Sequence, residues 1–392
     1  MIAVSRRRVW LVWLALALIA AATAVLIWAG SRGGPGGKAG GNLVVSLQAG
    51  EPSWVVKHLH LPAPKGGLYV ADSRAARPRF SRVATPRDSD EIDFMVSSYG
   101  GKGEAYGLIA TRSFGVSVAA LDIASGVRRV IYQSPPDWLP FFLRVTPGGK
   151  MIVSLSKMPG AATGPWGSKL IEVDPGSGTA MELLDLPGWR SWYPSDTAFS
   201  PDGKSMLLPG SMEKDKTRHL MVFDLESKRL NEITLRSEQP VGNAVWIGGG
   251  KKIGVRIGSE LRSVKPDGSD PHRLSLPRDH WFLSSSPDGR FAMVCDETNW
   301  WRAQKVHVLI VDTMSEPPKI TAEWTGRWSR ALWSPRSDQL AITEWALINS
   351  GKDATVVLSL ADADGTHRRI VTPPSPPDFS SAMRQGIAWL DR

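Results

Sequence analysis

The side chains of this sequence with the capacity for site chemistry fall into three groups. Asp137, Asp196 and Asp279 are acids of the kind that act as a general base or as half of a carboxylate pair on a sugar. His58 and His60 alternate on a predicted strand, so both imidazoles point to one face and offer two ligands to a metal. No third ligand follows from spacing; the pair reads as polar residues on a solvated face, and no metal or cofactor is expected. The third group is tryptophan, 17 residues of which 14 lie outside the N-terminal apolar run. Indole supplies large contact area with little rotamer entropy and a donor N–H, which suits sugar rings and peptide side chains.

Two other chemistries fail on the residues present. A serine hydrolase needs Gly-x-Ser-x-Gly on a strand-turn-helix; the sequence has none, and Gly176-Ser177-Gly178 reads as a hairpin turn. A calcium loop needs several acids at alternate positions, whereas Asp362-Ala363-Asp364-Gly365 stops after two.

What positions these groups is a repeat. Ser286-Pro287-Asp288-Gly289-Arg290 has a second copy in Ser200-Pro201-Asp202-Gly203-Lys204 and degenerate ones in Thr146-Pro147-Gly148-Gly149-Lys150 and Ser334-Pro335-Arg336-Ser337-Asp338. Each lies between two short apolar runs. Proline presets φ for a tight turn and Asp-Gly tolerates positive φ, so each copy predicts a β-hairpin. A second signal keeps phase with the first: an apolar strand ending in Asp72, Asp122, Asp174, Asp224, Asp312 or Asp362, then a turn of small residues, with Lys265 filling the one gap. Several such turns near 50 residues apart predict a propeller. The expectation is an all-β fold of seven blades, six being the alternative, each with four strands named a to d from the axis outward. Gly386–Leu390 reads as an inner strand with no blade after it. Its outer strands are expected near Trp54–Leu61, Gly67–Ala71 and Arg79–Ala84, so that strands from both termini close the ring and remove free edges. Leu43–Leu47 is then left over as an extra strand, or as the inner strand of a different closure.

Strand parity sorts the tryptophans. In such a blade a–b and c–d turns share one face, and b–c and d–a loops share the other. Trp138, Trp189, Trp192, Trp281 and Trp328 precede inner strands; Trp166, Trp300 and Trp301 fall in b–c loops. All are expected on the loop-rich face, beside Asp137, Arg190, Asp196, Asp279, Asp296, Glu297 and Arg327. The competing expectation for any one of them is packing between blades. Trp246, Trp333 and Trp389 lie on inner strands and are expected in the core.

Outside the propeller, Arg6, Arg7 and Arg8 precede Val9–Ala29, a run of 21 uncharged residues. At ~1.5 Å per residue it spans a ~30 Å hydrocarbon core. The arginines predict a cytoplasmic tail over 1–8, a transmembrane anchor over 9–29 and the remainder outside. The alternative is a signal peptide cleaved at Ala22-Thr23-Ala24, leaving a secreted protein. Residues 30–42 are glycine-rich and read as a flexible stalk, with the propeller over 43–392. The net charge of +9 falls to +4 once residues 1–38 are set aside, so no nucleic-acid stripe is indicated. Cys295 is the single cysteine and reads as a small buried hydrophobe.

The Pro-Asp-Gly turns and the Asp-turns, over residues 43–392, resemble those of the TolB-like β-propellers with their WD40-like Pro-Asp repeat. That resemblance implies fold. Function it leaves open, since such propellers serve as protein-binding modules, substrate-gating domains and lyases. The sequence is expected to differ from the TolB pattern in carrying no α/β domain ahead of the propeller, and from the peptidases in carrying no peptidase domain after it. The residues favour a membrane-anchored extracytoplasmic module that binds a protein or glycan through Trp138, Trp189, Trp192, Trp281, Trp300, Trp301 and Trp328, without catalysis. The alternative is a glycan lyase or hydrolase working at the axial pocket.

Overall fold

A computed structural model describes residues 41–47, 67–72, 81–83, 91–101, 103–111, 116–146, 148–157, 166–191, 198–212, 218–233, 241–296, 306–326, 329–348, 353–371 and 385–391. The expected cytoplasmic tail, anchor and stalk up to Gly40, His58 and His60, and Trp192, Trp300, Trp301 and Trp328 lie outside them. Among the described residues no helix is long and apolar enough to cross a membrane.

The chain is an all-β propeller whose described residues form seven four-stranded antiparallel sheets. Sheet 1 joins the two ends of the described chain: Gln385–Asp391 is its strand a, followed by Gly41–Leu47, Gly67–Asp72 and Ser81–Val83. The remaining sheets follow in chain order. Sheet 2 starts at Glu91 and sheet 3 comprises Trp138–Val145, Met151–Lys157, Gly167–Val173 and Ala180–Pro187. Sheet 4 comprises Trp189–Ser191, Ser205–Met212, Arg218–Asp224 and Leu230–Glu232; sheet 5 comprises Val241–Ile247, Lys252–Ile257, Glu260–Val264 and His272–Arg273. Sheet 6 has Trp281–Ser285, Phe291–Cys295, Val306–Asp312 and Lys319–Gly326, and sheet 7 begins at Ser329. Strands a of sheets 1 and 2, 2 and 3, 5 and 6, and 6 and 7 touch one another, which identifies them as the inner strands.

Sheet 1 corrects one assignment. Leu43–Leu47 is neither an extra strand nor the inner one. It pairs on one side with Gln385–Asp391, Leu43 opposite Trp389, and on the other with Gly67–Asp72, so it is strand b. The stretch expected for that place, Trp54–Leu61, lies outside the described residues. Val44 and Val45 are β-branched and suit a strand paired along both edges.

The repeated turns owe their shape to local chemistry. In sheets 4 and 6 the Ser200 and Ser286 hydroxyls donate to Asp202 and Asp288 at 2.5 Å, and each carboxylate accepts the amide of Lys204 or Arg290 at 3.0 Å. Gly203 and Gly289 take φ of 72° and 69°, and their amides donate to the Ser200 and Ser286 carbonyls. Sheet 7 puts Ser337 in the glycine place, at φ 55°. Its Ser334 hydroxyl donates to Asp338 instead, at 2.5 Å. The Asp-turns are equally self-contained. Asp122 and Asp224 accept the amides of Ser125 and Ser227 at 2.6 Å and their hydroxyls at 2.7 Å.

Consecutive a–b turns also pack on one another. The Gly249 amide donates to the Gly289 carbonyl at 3.1 Å, and the Asp288 amide to Ser337 Oγ at 3.1 Å. A Cβ on Gly250 would stand 2.7 Å from Pro201 Cδ. The core fills the space between sheets. Trp246 and Trp333 are buried there as expected, and their indoles donate to the Ala198 and Ala363 carbonyls at 2.9 Å. Cys295 is buried, as expected.

Candidate binding face

The antiparallel pairing brings the b–c and d–a connections of every sheet to the face opposite the packed turns. Trp138 opens strand a of sheet 3 and is partly buried. Gly167, on strand c of that sheet, makes room for it: a Cβ there would stand 3.2 Å from the end of the indole. Lys169 lies over the Trp138 ring, Nζ 5.1 Å from its centroid, and holds Glu182 at 2.7 Å and Asp185 at 2.8 Å. These two acids hold the Lys169 ammonium above the ordinary lysine value. Next to it, Arg190 lies 4.8 Å above the partly buried Trp166 ring.

Trp281 opens strand a of sheet 6. Its ring carries the Arg256 guanidinium at 3.8 Å, well inside the ~6 Å range of a cation–π contact. Arg256 sits two residues before Gly258, at the loop-face end of strand b of sheet 5. Its Nε donates to the Gly258 carbonyl at 2.6 Å, and its Nη2 stands 3.7 Å from Asp279 Oδ1. Burial pulls Arg256 below the ordinary guanidinium value; Asp279 opposes that, and the charge of Arg218 on sheet 4 adds to it. Next in the chain, His280 is buried, its Nδ1 2.9 Å from the Arg278 carbonyl and its ring edge-on to His307 at 5.7 Å. Among the described residues Arg256 Nη1, Trp281 Nε1, His280 Nε2 and Ser284 Oγ are buried without a hydrogen-bond partner. Such groups are rare in a folded interior.

The expected tryptophans therefore divide. Trp138 and Trp281 are on the loop face with part of their surface open, as is Trp166. Trp189 is not: it is 1% exposed. Its indole occupies space that Gly210 leaves empty on the neighbouring strand, where a Cβ would fall 2.3 Å from the ring, and His219 covers it at 5.9 Å. Trp189 is a core residue, and its expected place on the binding face is withdrawn. Of the candidate acids, Asp137 is exposed and Asp279 faces Arg256, while Asp196 lies outside the described residues. Asp296 has a structural task, accepting the His307 amide at 2.8 Å across sheet 6. Among the described residues no group of three or more His, Cys, Asp or Glu could hold a metal ion.

Arg256, Arg218, Lys169 and His280 were missed by sequence reasoning. The available signal was an arginine within the otherwise apolar strand Ile253–Ile257, two residues before a b–c turn. The geometry offers stacking surfaces edged by cations, which suits planar, ring-shaped or anionic groups.

No protein family and no curated protein matches the sequence. Solved structures are similar in fold. Oligogalacturonate lyase from Vibrio parahaemolyticus is 12% identical with a TM-score of 0.51, over 71% of this chain and 80% of that one. Prolyl oligopeptidase B from Galerina marginata is 10% identical with a TM-score of 0.57, over 85% of this chain and 49% of that one. TolB from Acinetobacter baumannii is 16% identical with a TM-score of 0.47, over 84% and 80%. At these identities the likeness is one of fold.

Proposed function

We propose that this chain is a non-catalytic binding module: a seven-bladed propeller, one blade for each sheet, held outside the cytoplasm by the apolar segment 9–29 and taking a protein or glycan ligand on its loop face. The observation that carries the proposal is the repeated pairing of tryptophan with a cation on that face. Trp138 with Lys169, Trp166 with Arg190 and Trp281 with Arg256 are three stacks, at 5.1, 4.8 and 3.8 Å. Rigid aromatic and arginine side chains are what binding hot spots are made of. Similar folds include enzymes. What supports the non-catalytic reading is that two of the candidate acids already have partners within the fold: Asp279 faces Arg256, and Asp296 accepts the His307 amide.

The test is an array of glycans, peptidoglycan fragments and peptides probed with the purified protein, with Trp281→Ala and Trp138→Ala beside it. The expected result is retention of a ligand class, weakened about 30-fold by at least one of the two substitutions, as for a ~2 kcal/mol hot spot, with an unchanged melting transition. Mass-spectrometric detection of cleaved array components would overturn the non-catalytic reading in favour of a lyase or hydrolase. A reporter fused after residue 45 that is active only inside the cytoplasm would overturn the membrane topology.

A further inference from the structure

Among the described residues Arg256 has a guanidinium nitrogen, Nη1, buried without a hydrogen-bond partner. A guanidinium has five N–H donors in a flat fork and binds a carboxylate best through two parallel bonds of about 2.7–2.9 Å. Here Nε is used on Gly258, Nη1 has no hydrogen-bond partner, and the Asp279 carboxylate stands off at 3.7 Å from Nη2. Trp281 fixes the plane of the fork from one side at 3.8 Å. The Asp279 side chain is 73% exposed, against 13% for Arg256. Asp279 also has φ of 61°, a left-handed conformation that a non-glycine residue adopts at a cost. Its amide is tied to the Ser259 carbonyl at 2.9 Å, so the backbone stays in place while the side chain is free to turn into solvent.

An exposed acid, loosely set against an oriented and under-bonded arginine, has the form of a stand-in. Resting on the reading that the loop face binds, we propose that a carboxylate of the ligand takes the place of the Asp279 carboxylate on Arg256, with Trp281 flooring the site. The guanidinium then exchanges one long ion pair for the paired short bonds that its geometry suits. No bond is made or broken; Asp279 rotates outward into solvent. Arg218 supports the choice of an anion, because its charge reaches Arg256 and is one of the causes that lower its proton affinity. A second positive charge beside the first is eased by binding a negative one.

The experiment follows the 15N-labelled indole resonances of the full-length protein in detergent, with the Trp281 signal identified by its loss in Trp281→Phe. Sodium acetate is the basic probe. N-acetylglycylglycine and D-glucuronate are separate arms that distinguish a peptide C-terminus from a sugar acid, and glucose is the neutral control. Saturable movement of the Trp281 signal by acetate and by one larger carboxylate, but not by glucose, is expected. Asp279→Asn, which removes the competing charge and suits positive φ, should tighten acetate about 3-fold or more. Arg256→Lys, which keeps the charge and loses the fork, should weaken it about 10-fold, as for loss of a charge-assisted hydrogen bond. An Asp279→Asn protein that binds acetate no better than the parent overturns the stand-in, and so does an Arg256→Lys protein that binds it equally well. Asp279 is mostly exposed, so its variant folds even where Arg256→Lys does not. A neutral array ligand that depends on Trp281 but ignores both substitutions would reject this site and leave the loop-face reading standing.

Discussion

The two faces of the propeller use their polar residues in opposite ways. On the turn face, serine, aspartate and glycine satisfy one another within five or six residues, and each turn then leans on the next through Gly249, Gly250, Gly289 and Ser337. On the loop face, long side chains meet across sheets, and at the junction of sheets 5 and 6 Arg256 Nη1, Trp281 Nε1 and His280 Nε2 are buried without partners among the described residues. A self-contained turn contributes to folding and has little left to offer a ligand. An unsatisfied group costs stability, about 1–3 kcal/mol when buried, and is a place where a ligand can return that energy. The comparison teaches that repetition marks the scaffold, and that the departures from it mark the place to look for binding.

The largest expected effect tests which tryptophans belong to the scaffold. Trp189→Ala removes a fully buried indole and should lower the unfolding free energy by about 3–5 kcal/mol, seen as an earlier urea midpoint with an unchanged slope. Trp281→Ala should cost clearly less. Equal losses for the two would erase the distinction between core and face.

A smaller effect is expected on the turn face. Gly250 has φ of 83°, and a side chain there would meet Pro201 at 2.7 Å. Gly250→Val should therefore destabilise by about 2–3 kcal/mol through strain and overpacking and leave the loop face able to bind. Binding lost in proportion to stability would show that the two faces are coupled.

The smallest effect is electrostatic. Asp122 is held below the usual carboxylate range by the Ser125 hydroxyl and amide, and Asp224 by the Ser227 amide and hydroxyl. A carboxylate whose folded pKa is depressed contributes stability above its unfolded value, and that contribution is lost as pH falls through the folded one. The melting temperature should thus fall below about pH 4, the ordinary carboxylate value. The double variant Asp122→Asn, Asp224→Asn should melt slightly earlier at pH 7 and lose less on acidification. A parallel decline in both proteins would remove the Asp-turns from the acid response.

Most of the scaffold was legible because its signals are local. Pro-Asp-Gly and strand-Asp-small-residue patterns specify backbone geometry within a few residues, and their phase placed both the inner strand at Gly386–Leu390 and the turn at Lys265. Sheet 1 was only half legible: Leu43–Leu47, Trp54–Leu61 and Gly67–Ala71 all have strand character, and choosing among them depends on which pairs with a strand more than 300 residues away.

The site was legible as a face and not as a set of residues. Parity alone put Trp138, Trp189 and Trp281 on the loop side, because alternation of strand direction needs no tertiary information. What became of each indole depended on the neighbouring strand. Gly210 opens the space that swallows Trp189, and Arg256 is the partner that keeps Trp281 at the surface of the sheet junction. By itself the sequence determined the strands, the turns and the side on which each loop emerges, since these follow from short-range sterics and hydrogen bonding. Only the tertiary structure decided which tryptophan is covered and which arginine is left unsatisfied, since burial and pairing are set by side chains that meet across sheets from distant parts of the chain.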